Sequence, residues 1–367
     1  MSTFRVSMFL LGTIAAWGSA GAQDSAPIDD ANPVVEISPW SWFGDVLLRG
    51  NRTDDIPRLV DPSFSSLFAR GRFGVAWDPI PTLEFGAAIK LAGSSSENAD
   101  DRLRNVNERS NDVALDRFYL RWAPGEKVSL LAGKSVFPLQ LSPLLWDADL
   151  RPIGASADVS FATGEFDRLQ LVGGYFAGDL PYGDDSRIGA AQLAWHWREG
   201  APLSGSVLVS YLDFTDLQQL VLQGQSRTNR RVAGTNRLLS DYRLLDLQLV
   251  GRMRIADLPF EIRLDVARNL GADDQRNAAR GSVQLGDSRQ AHGWEIGIAD
   301  QRIQRDAVMA SFNSDDWWFH SWARGVMPWL AYGFSDTWSA RLAAFHERRD
   351  GVADYTDRVL LDVYARW

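Results

Sequence analysis

Hydrophobic and polar residues alternate along most of this chain with a period of two. In residues 83–91, Leu83, Phe85, Ala87, Ile89 and Leu91 share one face, and Glu84, Gly86, Ala88 and Lys90 share the other. In residues 245–255, Leu247, Leu249, Gly251, Met253 and Ile255 oppose Asp246, Gln248, Arg252 and Arg254. Such alternation is strand geometry, and tilted strands of about ten residues are long enough to cross a bilayer. About sixteen segments of this kind can be placed, with fourteen or eighteen as alternatives because boundaries between 299 and 327 are indistinct.

Alternation alone would also suit a soluble sandwich, so the links between strands matter. Short links fall at 78–81, 123–126, 163–167, 198–202, 256–258 and 335–337. Long ones fall at 51–63, 93–111, 138–152, 213–240 and 269–291. Short and long alternate along most of the chain, as they must when an up-and-down meander has tight turns on one side and long loops on the other. Tryptophan supports the same parity. Trp77, Trp122, Trp197 and Trp367 end descending strands, and Trp338 begins an ascending one. An amphipathic indole prefers the headgroup region, so these five predict a membrane-interface girdle. The fold expected is all-β, a single transmembrane antiparallel barrel spanning 41–367.

Composition narrows the class. Lys+Arg is 38 against Asp+Glu 47, a net charge of −9, and no basic helix accompanies it, so nucleic acid is not an expected partner. Cysteine is absent, which removes disulfide scaffolds, thiolate metal sites and thiol nucleophiles. A mean hydropathy of −0.20 beside 15 tryptophans suits strands with only one greasy face. Residues 1–22 read as a signal peptide: a basic start, an apolar run over 6–18, and Ala20-Gly21-Ala22 as the cleavage pattern. Residues 23–40 read as a flexible polar lead. Nothing later approaches 18 consecutive apolar residues, so no transmembrane helix is expected.

Arginine lies on the presumed inner face of neighbouring strands: Arg49, Arg70, Arg72, Arg117 and Arg121, joined by Arg366 if the last strand pairs with the first. Arginine facing lipid costs roughly 2–4 kcal/mol at the midplane, so these six are expected to line a pore and set its ion preference. The alternative is structural pairing with Asp45, Glu84, Asp158 or Asp246. A slight excess of inner arginine over carboxylate predicts weak anion preference. The third long loop, 138–152, is unusually apolar (Leu139, Leu141, Leu144, Leu145, Trp146). Folded inward, its Trp146, Asp147 and Asp149 would form a constriction facing the arginines; capping the barrel mouth or packing at a subunit contact are the alternatives.

Asp116-Arg117-Phe118-Tyr119-Leu120-Arg121-Trp122, residues 133–138, and Leu145-Trp146-Asp147-Ala148-Asp149 carry a resemblance. With them the chain resembles a bacterial outer-membrane family of large porin-like barrels. Gly293-Trp294, Asp306-Ala307-Val308 and Asn313-Ser314-Asp315-Asp316 extend the resemblance, although Trp317-Trp318-Phe319-His320 stands where members often carry glycine. The final strand, Val359 to Trp367, resembles the closing strand that the barrel-assembly machinery reads. The resemblance implies passive diffusion of small hydrophilic solutes or ions across the outer membrane, amid lipid and lipopolysaccharide, with a homotrimer expected by analogy. A non-transporting barrel, for surface binding, adhesion or an enzyme, is the alternative.

Enzymatic chemistry is not expected. His196, His292, His320 and His346 lie outside any nucleophile motif, and Asp315, Asp316 and His320 form the one local acid–histidine cluster. No spacing suits a metal, and no cofactor is implied. The arginines of 227–237 (Arg227, Arg230, Arg231, Arg237) read as a solvated loop, or as attraction to lipopolysaccharide phosphate.

Overall fold

The computed structural model describes residues 38–57, 63–101, 106–178, 180 and 183–367, so the expected signal peptide and nearly all of the expected lead lie outside the described residues. The elements are β1 (Trp40–Asp54), β2 (Phe64–Ile80), β3 (Leu83–Ser94), β4 (Asp112–Gly125), β5 (Val128–Lys134), β6 (Ile153–Ala162), β7 (Arg168–Ala177) and β8 (Arg187–Trp197), followed by β9 (Ser204–Thr215), a short helix α1 (Gln218–Leu222), β10 (Tyr242–Ile255), β11 (Leu258–Asn269), β12 (Asn277–Gly286), β13 (Trp294–Ile303), β14 (Ala323–Gly333), β15 (Trp338–Arg349) and β16 (Thr356–Arg366). Each strand pairs antiparallel with its chain neighbours, and β16 closes onto β1, with Arg366 opposite Asp45 and Asp362 opposite Arg49. The result is a closed barrel of sixteen strands. Closure satisfies every strand edge, which a membrane demands because lipid supplies no hydrogen-bond partners.

The two faces differ as the alternation predicts. Leu245, Leu247 and Leu249 of β10 point out and are exposed, while Leu244, Asp246 and Gln248 point in and are buried. In β4 the pattern changes phase. Val113 and Leu115 point out, then Phe118, Leu120 and Trp122 do. A β-bulge at Asp116 causes the shift: Ala88 of β3 pairs with Arg117 while Ile89 pairs with Leu115. The extra residue leaves both Asp116 and Arg117 on the inner side.

Two expectations are corrected. The long link at 269–291 contains a strand, β12, flanked by connections at 270–276 and 287–293. Its outer face carries the small Ala279 and Gly281 beside Val283 and Leu285, and its inner face carries Arg280, Ser282 and Gln284, so its amphipathic contrast is weak. The indistinct region between 299 and 327 resolves into the end of β13, a loop over 304–322, and the start of β14.

The interior is packed on one side. Inner-facing Val172, Phe176, Ile188, Ala190, Leu212, Phe214, Tyr242 and Leu244 of β7–β10 form a buried cluster with Phe137, Leu139, Leu144, Leu145, Trp146 and Leu150 of the loop after β5. Ala307, Val308, Met309 and Phe312 of the loop after β13 join them, as do Leu220 and Val221 of α1. Burying a Leu or Phe side chain is worth about 1.5–3 kcal/mol, so an apolar loop beside an apolar inner wall folds against it rather than into water.

Candidate functional site

The loop over 135–152 leaves β5 at Gly133, whose φ of 119° only glycine adopts readily; a Cβ there would stand 2.2 Å from the carbonyl oxygen of Phe118. The chain then turns into the lumen. Phe137 stacks on Trp146 with centroids 4.2 Å apart and meets Phe176 of β7 edge-on at 4.9 Å, while Trp146 stacks on Phe312 at 5.6 Å. Polar contacts fix the register. The Gln192 side chain of β8 accepts from the Gln140 amide at 3.0 Å and donates to its carbonyl at 2.9 Å, and Gln248 of β10 donates to the same carbonyl at 3.0 Å. The Ser142 hydroxyl donates to Asp265 of β11.

The loop over 304–322 is locked to it. The Asp147 amide donates to the carbonyl of Phe312 at 2.6 Å, and the Ser314 amide to that of Pro143 at 3.1 Å. Asn107, from the loop after β3, donates through its side chain to Asp147 at 2.9 Å and to the carbonyl of Asn313 at 2.6 Å; its amide donates to Asp315 at 2.7 Å. Three loops therefore meet at Asn107 and Asp147. Glu347 of β15 accepts the amides of Trp318 and Phe319 at 2.7 and 3.0 Å, which holds the far end of 304–322 against the wall.

The charged side of the lumen faces this plug. Arg70 and Arg72 of β2 each have side chains only 5 % exposed, and both reach Asp149, at 2.7 and 2.9 Å. Arg70 also meets Glu108 at 3.1 Å and Asp45 at 3.5 Å, and Arg72 meets Asp116 at 3.0 Å. Arg49 bridges Asp362 of β16 and Asp316 of 304–322, both at 2.7 Å. Lys90 joins Glu108 at 2.9 Å and Asp112 at 3.2 Å. Burial pushes the Asp149 carboxyl up, but Arg70 and Arg72 outweigh it and hold the group well below the usual carboxylate range. Asp147 goes the other way: burial, reinforced by Asp315 and Asp149, pushes it well above that range.

All six expected arginines face inward, with different surroundings. Arg49, Arg70 and Arg72 form the charged centre. Arg117 lies against Asp116 at 3.3 Å and over the Phe43 ring at 5.0 Å. Arg121, half exposed, meets Glu84 at 3.3 Å. Arg366 lies over Tyr364 at 5.1 Å, opposite Asp45 in register. Of the loop residues, Asp149 faces the arginines; Asp147 turns toward Asn107 and 304–322, and Trp146 is buried in the apolar cluster. The five girdle tryptophans lie at the short-turn end: Trp77 late in β2, Trp122 late in β4, Trp197 ending β8, Trp338 opening β15 and Trp367 after β16. Trp77 stacks between Trp40 and Phe85 at 5.6 and 5.5 Å.

Of the carboxylates named from the sequence as structural partners, Asp45 and Glu84 do pair with inner arginines, whereas Glu108, Asp316 and Arg358 were missed as members of this network. Arg358 donates to the carbonyls of Asp315 and Asp316 at 2.8 and 2.7 Å. Parity of the closing strand could have found Arg358, since it shares a face with Asp362. The arginine loop at 227–237 is corrected in part. Arg227 donates to Asn107 at 2.7 Å, and Arg230 pairs with Asp306 at 2.7 Å and with Asp274, whereas Arg231 and Arg237 are exposed. Asp315, Asp316 and His320 do not converge: His320 is 1 % exposed and its Nδ1 lies 2.7 Å from the Asn313 side chain.

Two cavities flank the charged centre. One of about 340 Å³ is lined by Asp45, Arg49, Arg70, Arg72, Asp149 and Arg366. Another of about 450 Å³, toward the long loops, is lined by Lys90, Glu108, Asp112, Asp149 and Arg151 among others. Asp149 belongs to both.

No family model matches the chain, and no curated protein matches it. Solved structures do. OprB of Pseudomonas putida, in a high-pH structure, superposes with a TM-score of 0.58 at 10 % identity over 90 % of this chain and 94 % of that one. OmpF of Salmonella typhi, in a complex with daunomycin, gives 0.54 at 10 % identity over 89 % and 97 %. A triple mutant of the Rhodopseudomonas blastica porin gives 0.53 at 10 % identity over 89 % and 100 %. Such likeness speaks for architecture, and it agrees with the closed sixteen-stranded meander: this chain has the fold of the bacterial outer-membrane porins.

Proposed function

We propose that the protein is an outer-membrane porin through which small hydrophilic solutes or ions diffuse passively, by an off-centre path along the arginines of β1 and β2. The observation that carries this is the pair of polar cavities meeting at Asp149, between the Arg70–Arg72 wall and the inward loop. The apolar half of the lumen is filled, so water and solute are confined to the charged half. There, Arg49, Arg70, Arg72, Arg117, Arg121 and Arg366 line the route, and Asp149 with the Trp146–Asp147 turn behind it forms the constriction. Because each central arginine is matched by carboxylates within 4 Å, ion preference is weak, with a slight lean toward anions from Arg366. The protein performs no chemistry in this reading. The girdle tryptophans mark the periplasmic interface, the last strand is read by the assembly machinery, and lipopolysaccharide and a homotrimeric arrangement complete its setting.

A second reading has one specific support: Asp149 bridges Arg70 and Arg72 directly, so the two cavities meet at an ionic septum. A barrel sealed there would serve surface binding rather than passage. Single-channel recording of the refolded barrel in planar bilayers separates the two. Stable open steps in KCl support the porin; a folded, inserted barrel with no conductance supports the sealed one.

A further inference from the structure

On the outer face of β13, β14 and β15, Arg302 pairs directly with Arg324 and Arg324 with Arg348. Three like charges in consecutive cross-strand register repel one another, and an isolated protein gains nothing from the arrangement. One carboxylate, Asp350, serves two of them at long range, 3.5 Å from Arg302 Nε and 3.8 Å from Arg324 Nε. Arg302 and Arg324 stay 60 % and 45 % exposed, and Arg348 lies over the Tyr355 ring at 4.9 Å. Across the short β12, Arg268 of β11 also faces outward, exposed and without an ion pair among the described residues.

These arginines stand at the long-loop edge of the apolar band. Arg302 follows the exposed Trp294, at the other end of β13, by eight positions, and the outward residues between include Ile296 and Ile298. Below Arg268 and Arg302 lies a groove of about 440 Å³ in the outer wall, floored by Leu245, Leu247, Val266 and Ala279. It exists because β12 presents small Ala279 between the larger Val266 of β11 and Arg302 of β13, its partners in register. The acidic groups on this patch are Asp300, one step below Arg302 on the same face, and Asp350; Asp357 is taken by His346 at 2.7 Å. Cationic charge remains in excess.

We propose that this patch is a binding site for a phosphate-bearing acyl lipid of the outer leaflet. The phosphate sits among Arg268, Arg302 and Arg324, and one acyl chain descends the groove over Ala279. Guanidinium groups match phosphate oxygens in charge and geometry, and the groove supplies the apolar contact that a free anion would not use. The inference rests on the reading of this wall as lipid-facing, with the long loops outside. It does not depend on the lumen being open.

The test is native mass spectrometry of the full barrel in detergent with diphosphoryl lipid A, with diacylglycerol as the probe lacking phosphate and inorganic phosphate as the probe lacking chains. Retention of lipid A alone is expected. In the R302Q/R324Q variant its apparent affinity should fall about tenfold or more, since charge-assisted hydrogen bonds are lost; R121Q, inside the lumen, should leave it unchanged. Ala279→Leu, which fills the groove without touching the charges, should weaken lipid A as well. Equal retention of diacylglycerol, occupancy by inorganic phosphate alone, or indifference to R302Q/R324Q would overturn the proposal. So would loss of oligomer rather than of lipid in that variant, which would make the patch a subunit interface. Planar-bilayer conductance of the same variants reports the channel reading separately.

Discussion

Replacing Asp149 with alanine isolates the charge at the meeting point of the two cavities. Its side chain is one-third exposed, whereas the arginines it bridges are 5 % exposed. Removing the partner of a fully buried pair costs about 3–5 kcal/mol, but exposure of Asp149 and the remaining Glu108, Asp45 and Asp116 contacts reduce this to about 1–2 kcal/mol of loop docking. The effect on permeation is electrostatic. One unit charge about 5 Å from an ion in water-like dielectric is worth about 0.8 kcal/mol. Screening at ~0.1 M salt leaves roughly a two- to fourfold bias for each ion sign. Reversal potentials in planar bilayers under a KCl gradient should therefore move clearly toward anions in D149A. D147N removes the same formal charge, yet Asp147 points to Asn107 and its carboxyl is held above the usual range by burial and by its acidic neighbours, so the reversal potential should hardly move. A wild-type reversal potential in D149A, or an equal shift in D147N, would refute the assignment of Asp149 to the path.

Leu144 is 0 % exposed at the heart of the apolar cluster, and Leu144→Ala should cost the loop about 2–5 kcal/mol of docking, read as faster proteolysis within 135–152 while the barrel keeps its heat-modifiable mobility on gels. Gly133→Ala should lower the yield of folded barrel, because φ 119° and the 2.2 Å approach to the Phe118 carbonyl impose a strain of about 1–3 kcal/mol or more. Loop docking should also respond to pH. Asp149 has a folded-state pKa below its unfolded value, so its contribution is complete above the ordinary carboxylate range and is lost as pH falls through the depressed value; channel noise should rise only in strong acid. Asp147, shifted upward, contributes below the ordinary range and loses that contribution as pH climbs through its raised value, so D147N should remove any loosening on that side.

Much of the architecture was legible because a lipid-facing wall forces strict alternation on each strand. The inner parity of Arg49, Arg70 and Arg72 follows directly from their apolar neighbours Leu48, Gly71 and Phe73. Arg117 and Arg121 also lie on the inner side, although nothing in the sequence signals the bulge at Asp116; both follow it and alternate with the outward Phe118 and Leu120. β12 was hidden because Ala279 and Gly281 on its outer face are neither greasy nor large, the same feature that leaves the groove. The loop over 304–322 was indistinct for the opposite reason. Met309, Phe312, Trp317 and Phe319 are as apolar as a strand, yet they are buried against the inner wall and against the other inward loop. Periodicity reports which side of a wall a residue faces; it cannot report that a loop has no wall of its own. Nor could sequence show that Asp147 and Asp149, two residues apart, would turn to different partners, since that depends on Asn107, 40 residues from Asp147 in the chain.

The most direct test of the central claim is liposome swelling with the refolded barrel and sugars of graded size. Passage along the charged half of the lumen gives swelling that is fast for the smallest sugars and falls steeply with size, with D149A widening the limit. A barrel that is folded and inserted yet admits none of them, in wild type and in D149A alike, would contradict it.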